Sequence, residues 1–142
     1  MKRILVLMLV AIAMLMFVSC DNKAEEPAEV NPLTNEELSG KWLYGVEGTD
    51  YITLEFTNAK VTMKNENVNA KNAGDTNFYA FYDGDYKIEG DVITFTDSNS
   101  KNSFDYSAII KGDKLTLTQK GTSSMFRVTG HENMNTVTLQ KQ

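Results

Sequence analysis

From Lys41 onward the apolar positions recur with a period of two. Ile52, Leu54 and Phe56 alternate with Thr53, Glu55 and Thr57, and Val61 and Met63 alternate with Thr62 and Lys64. Alternation of this kind sends one row of side chains into a core and the other into water, so it predicts half-buried strands. Between these two runs, Thr57-Asn58-Ala59-Lys60 reads as a hairpin with a two-residue loop. Pairing Thr57 with Lys60 sets Phe56 opposite Val61 and Leu54 opposite Met63, so turn and pattern agree. A second hairpin has Tyr86, Ile88, Ile93 and Phe95 around Gly90-Asp91, and a third has Ala108, Ile110, Leu115 and Leu117 around Gly112-Asp113. Glycine first in a two-residue loop fits a type II′ turn, which needs a positive φ there. The run Gly90-Asp91-Val92-Ile93-Thr94-Phe95-Thr96 repeats in pattern as Gly112-Asp113-Lys114-Leu115-Thr116-Leu117-Thr118, and a looser copy runs from Phe126 and Val128 through Gly130 to Val137 and Leu139.

The predicted strands are 41–46, 50–57, 60–65, 77–82, 85–89, 92–96, 103–110, 114–119 and 124–129, with a closing strand at 136–140. Asp83-Gly84-Asp85 reads as either a bulge or a turn. Residues 64–77, rich in asparagine, read as a long connecting loop, with a lid over the barrel rim as the functional alternative. The body has no sustained helical stripe. A single layer with one apolar face must close or fold on itself to bury that face. The expected fold is therefore all-β: an antiparallel up-and-down meander of 8–10 strands closing into a small barrel, with a two-sheet sandwich as the alternative. The outward positions are rich in threonine (Thr53, Thr62, Thr94, Thr116, Thr118, Thr138), a residue that suits strands facing water.

The N-terminus has a different pattern. Lys2 and Arg3 precede an apolar run of fifteen residues, Ile4 to Val18. That is short for a membrane span, which needs about 20 residues, and suits a signal-peptide core. The run ends at Phe17-Val18-Ser19-Cys20, which resembles the lipobox of bacterial lipoproteins. The resemblance implies cleavage before Cys20, a diacylglyceryl group on its sulfur and an acylated new amino terminus. The competing reading is an ordinary secretory leader with an incidental cysteine. Cys20 is the only cysteine, so no disulfide forms within the chain. The organisation read here is a lipoprotein signal peptide at 1–19, an acidic tether at 20–37 and a barrel domain at 38–142. The tether contains Glu25, Glu26 and Glu29 with Pro27 and Pro32 and little to pack. Thr34 reads as the N-cap of one helical turn with Glu36 and Glu37 in it.

Loss of the leader with Lys2 and Arg3 leaves 12 basic against 19 acidic residues, a net charge of −7. That argues against nucleic acid as a partner and against a polybasic membrane-surface role. His131 is the only histidine and lies in the polar run Gly130-His131-Glu132-Asn133, which reads as a solvated loop. With no second histidine and no free cysteine beside it, neither a zinc site nor a nucleophile–base pair is expected. The chain is read as not an enzyme, with no cofactor and no metal. Asp83, Asp85, Glu89 and Asp91 could gather round a hard cation, but Gly-Asp is ordinary turn chemistry and is the preferred reading.

Gly40-Lys41-Trp42 on a first strand, followed by a hairpin meander, resembles the calycin group and in particular the lipocalin-like lipoproteins of Bacteroidetes-type bacteria. The resemblance covers residues 38–142. It implies that Gly40 and Trp42 close one end of the barrel and that an arginine near the last strand, here Arg127, stacks on Trp42. Strand parity gives the alternative: with Phe126 and Val128 inward, Arg127 faces out. The family's long C-terminal helix is absent, since Asn135 to Gln142 alternates like a strand. Acidic residues after Cys20 resemble surface-export signals of such lipoproteins, whereas an aspartate there implies inner-membrane retention in enteric bacteria. The expected location is the bacterial outer membrane, on its periplasmic face or at the cell surface, held by the lipid.

Parity sends Tyr44, Tyr82, Tyr86 and Tyr106 to the same side as Phe56 and Phe95. Phenols on an apolar lining are handles for a small hydrophobic or amphipathic ligand. The alternative is a filled barrel that acts as a protein-interaction module of an envelope complex.

Overall fold

Nine of the ten predicted segments become eight strands, each paired with the next in antiparallel fashion. The computed structural model describes residues 32–142. The leader, Cys20 and the tether up to residue 31 lie outside the described residues. The strands are β1 (Gly40–Val46), β2 (Asp50–Thr57), β3 (Lys60–Asn67), β4 (Tyr79–Glu89), β5 (Val92–Asp97), β6 (Ser103–Lys111), β7 (Lys114–Gln119) and β8 (Thr136–Lys141). Two short helices accompany them, α1 (Asn35–Leu38) and α2 (Val68–Asn72). The sheet closes, β1 pairing with β8 at Trp42↔Lys141 and Leu43↔Gln140. Closure excludes the sandwich.

The hairpins have the registers that the pattern demands. Phe56 faces Val61 and Leu54 faces Met63; Ile88 faces Ile93 and Tyr86 faces Phe95; Ile110 faces Leu115 and Ala108 faces Leu117. Gly90 and Gly112 have φ of +65° and +61°, as a type II′ turn requires of its first residue. Asn58 and Ala59 both have positive φ, 47° and 63°, the mark of a type I′ turn. The outward threonines form cross-strand pairs: Thr116 with Thr138 at 3.1 Å, Thr136 with Thr118 at 3.3 Å, and Thr94 with Asp105 at 2.7 Å. Thr53 differs. It is buried on the outer face, between Leu43 and Lys64 in the register.

Three predicted boundaries change. Asp83-Gly84-Asp85 neither turns nor breaks the chain; residues 77–82 and 85–89 merge into the long β4. Gly84 faces inward, and a Cβ there would lie 2.2 Å from the Thr96 carbonyl oxygen and 2.6 Å from the Tyr82 hydroxyl. The glycine gives the Tyr82 ring room to lie along its own strand. Residues 124–129 are not a strand. They belong to the β7–β8 connection, and Met125, Phe126 and Val128 are buried from it. Residues 64–77 are not one loop. β3 runs on to Asn67, whose side chain caps α2 by accepting from the Ala70 amide at 3.0 Å.

The strands give the barrel two ends. The base carries α1, the three tight hairpins and the C-terminus; the mouth carries the longer connections 47–49, 68–78, 98–102 and 120–135.

Candidate functional site

The interior is the first place to look, since parity puts the candidate ligand residues there. Tyr82, Tyr86, Tyr106, Phe56 and Phe95 are buried, and Tyr44 is half-buried near the mouth. They pack on one another. The Phe56 ring meets Tyr86 edge-on at 5.1 Å between centroids and Phe95 at 6.2 Å; Phe95 meets Tyr106 at 5.8 Å; Tyr106 meets Phe126 at 5.6 Å; Tyr82 meets Phe104 at 6.3 Å. Edge-to-face contacts at these separations are favourable for aromatic pairs. Burial pushes the Tyr82, Tyr86 and Tyr106 phenols above their ordinary titration range, so they stay neutral. The Tyr106 oxygen accepts from the Met125 amide at 3.0 Å and lies 3.2 Å from the Ser124 hydroxyl. The Tyr82 hydroxyl has no hydrogen-bond partner among the described residues.

At the mouth the β7–β8 connection crosses the opening and is fastened on the far side. The Asn67 amide donates to the Thr129 carbonyl at 2.9 Å, and the Asn77 amide donates to the Arg127 carbonyl at 2.7 Å. The Thr129 hydroxyl donates to Asp75 at 2.9 Å. Hydrogen bonds from the Asn77 backbone and from Thr129 hold the Asp75 carboxyl below the usual carboxylate range. His131 completes the attachment. It is 2% exposed, which corrects the expectation of a solvated loop residue. Its Nδ1 lies 2.5 Å from Asn65 Oδ1, and its Nε2 lies 2.9 Å from Asp50 Oδ1, off the line that a hydrogen bond needs. Tyr44 meets the imidazole edge-on at 5.9 Å. Asn65 is buried too, in the inward register of Val61 and Met63, and that parity was the signal for it. No signal in the sequence linked it to a histidine 66 residues away.

At the base Trp42 is fully buried, and its indole nitrogen donates to the Leu38 carbonyl at 2.7 Å. α1 presents that carbonyl. Its capping box, with Thr34 Oγ1 accepting from the Glu37 amide and Glu37 accepting from the Thr34 amide, fixes the turn. The cation over the indole is not Arg127 but Lys141, whose Nζ lies 5.2 Å from the ring centroid and donates to the Glu37 carbonyl at 3.1 Å. Arg127 is at the opposite end, in the mouth connection. Lys141 continues the inward parity of Val137 and Leu139, which the sequence already showed. Gly40 opens β1 with φ +108°, a value side chains rarely adopt, beside the Lys141 stem.

Clefts also lie outside the interior. One, of about 490 Å³, lies at the base between Leu33, Thr34 and the hairpins at Ala59 and Gly90. Another, of about 450 Å³, lies at the mouth, lined by Gln119, Thr122, Ser124, Arg127, Glu132, Asn133 and Asn135. The acidic residues weighed as a cation site are dispersed. Asp85 pairs with Lys60, Glu89 with Lys87, and Asp91 accepts from the Ser107 hydroxyl. Among the described residues no three His, Cys, Asp or Glu side chains are gathered as a metal set. Among the described residues large apolar side chains reach the surface at four places, and two of them, Tyr79 and Phe81, stand two residues apart on β4 at 46% and 54% exposure. β5 meets β4 only from Gly84 onward, so this stretch has a strand on one side only. Comparison with protein-family models, curated proteins and solved structures finds no match to this chain.

Proposed function

We propose that the chain is a lipid-anchored, lipocalin-like protein of the bacterial cell envelope whose filled barrel binds another envelope protein. The observation behind this reading is that the ligand-type residues are spent on one another. Phe56, Phe95, Tyr86 and Tyr106 form a continuous set of ring contacts, and Phe126 joins it from the mouth connection. A ligand there would have to displace contacts worth about 0.5–1.5 kcal/mol each beyond their area burial. Tyr79 and Phe81 supply aromatic anchors of the kind enriched where proteins meet. The lipid on Cys20 would hold this surface at the membrane, since several acyl chains give stable anchoring where one is marginal.

The test uses the full chain made in a bacterium that processes lipoproteins. Mass spectrometry of the purified protein is expected to find no stoichiometric small molecule. A photo-crosslinker replacing Phe81 is expected to trap one defined envelope protein, with loss of the crosslink in Tyr79→Ser and none from position 116. A bound lipid at one per chain would overturn the reading in favour of an interior ligand. The observation on that side is the unpartnered Tyr82 hydroxyl, a buried polar group that a ligand could satisfy. For the anchor, Cys20→Ala is expected to release the protein from membranes into the soluble fraction; unchanged partition would remove lipidation from the account.

A further inference from the structure

We infer that the mouth cleft around Arg127 is a binding site for a small carboxylate bearing several hydroxyls, an acidic sugar in chemical terms. This goes beyond the proposed protein partner and uses a different surface.

Arg127 is the only arginine after residue 3. Its direction is forced: Phe126 and Val128 on either side are fully buried, and the exposed residue between them must point out. Its guanidinium is also oriented, because Nε donates to the Ser124 carbonyl at 2.8 Å. Its own carbonyl is held by the Asn77 amide. Among the described residues it forms no ion pair, and neither Nη has a hydrogen-bond acceptor. A guanidinium fixed along one edge leaves a fork of donors whose geometry matches a carboxylate bidentately.

The rest of the lining selects what else the ligand carries. Apart from the Glu132 carboxylate, it is amide and hydroxyl chemistry with no aromatic ring and no lysine. Gln119 spends its Nε2 on the Gly121 carbonyl at 2.5 Å and so offers Oε1 as an acceptor. The side chains of Thr122, Glu132, Asn133 and Asn135 have no hydrogen bond to another described residue. Uncommitted donors and acceptors set round one cation suit a polyhydroxylated monoanion. The volume of about 450 Å³ falls in the range of small-molecule sites.

The probe is glucuronate, titrated into the isotope-labelled full chain in detergent and followed by amide chemical shifts. Saturable shifts confined to residues 119–135 are expected. Glucose, which lacks the carboxylate, is expected to bind at least about tenfold more weakly, as is glucuronate to R127Q. R127K is expected to fall short of wild type because a point charge replaces the fork, and E132Q to bind as well or better. R127Q should keep the wild-type melting midpoint, since the side chain is exposed; if it does not, E132Q and N133A carry the test, with N133A expected to weaken binding while the fold stays intact. Absence of shifts, equal binding by R127Q, glucose as good as glucuronate, or glutamate binding more tightly than glucuronate would each overturn the inference.

Discussion

Trp42 and Ala59 show what single positions contribute, in opposite senses. Trp42 plugs the base with no exposed surface, one hydrogen bond to Leu38 and a lysine over its ring. Removing a buried indole loses transfer free energy and leaves a cavity that strands joined in a closed ring cannot easily collapse. Trp42→Ala is expected to cost about 3–5 kcal/mol in a denaturant melt; a loss below about 1 kcal/mol would place the indole at the surface. Ala59 is held at φ +63°, where a Cβ costs about 1–2 kcal/mol. Its neighbour Asn58, at φ 47°, is a residue that tolerates this region. Glycine would remove the penalty but gives the unfolded chain about 0.5–1 kcal/mol more entropy to lose. The first effect is the larger, so Ala59→Gly is expected to stabilise by about 0.5–1 kcal/mol. A destabilised variant would show that the hairpin does not adopt the type I′ conformation.

At the scale of elements, period-two patterning and two-residue turns carry most of the information, and the hairpin registers follow from the turns alone. The errors arise where an inward pattern is satisfied by something other than a strand. Phe126 and Val128 alternate like strand residues, yet they serve a connection that crosses the mouth, because burying two side chains two residues apart needs no ladder. Gly84 sits between two aspartates like a turn residue, yet the same absence of Cβ admits a tyrosine ring. The mouth attachments were not legible. Asn65, Asp50 and His131 come from three elements, and only the fold brings these polar residues together. That attachment gives a prediction for the connection as a unit. His131→Ala leaves Asn65 Oδ1 buried without its imidazole partner and opens a cavity, at a cost of about 2–3 kcal/mol. Amide exchange is expected to quicken most between residues 124 and 131 and least at the base, where α1, Trp42 and Lys141 are untouched. Uniform acceleration through the barrel would mean that the mouth connection and the wall open together.

For the whole molecule, closure makes the interior phenols report on the integrity of the barrel. Burial, followed by the hydrogen bond to Glu66 at 2.9 Å and the charge of that carboxylate, raises the Tyr51 pKa to about 12 on the outer wall. Burial raises Tyr82, Tyr86 and Tyr106 within it. The unfolded chain ionises its tyrosines near 10. The folded state therefore holds these protons where the unfolded state has lost them. The stabilisation from neutral phenols is complete below about pH 10 and declines as pH rises from there towards 12. Lysines lose charge over the same range and raise the net negative charge, so alkaline unfolding alone does not isolate the phenols. Two readouts separate them. Tyrosinate absorbance is expected to rise for the buried phenols together with loss of the β-sheet circular dichroism, in one transition. Tyr51→Phe, which removes a proton linked to folding and leaves every lysine in place, is expected to make stability less steep in pH across that range. If the interior tyrosines ionise near pH 10 while the circular dichroism is unchanged, water reaches them in the native state. The barrel would then enclose an accessible chamber, and the interior, rather than the outer face of β4, would become the place to look for a partner.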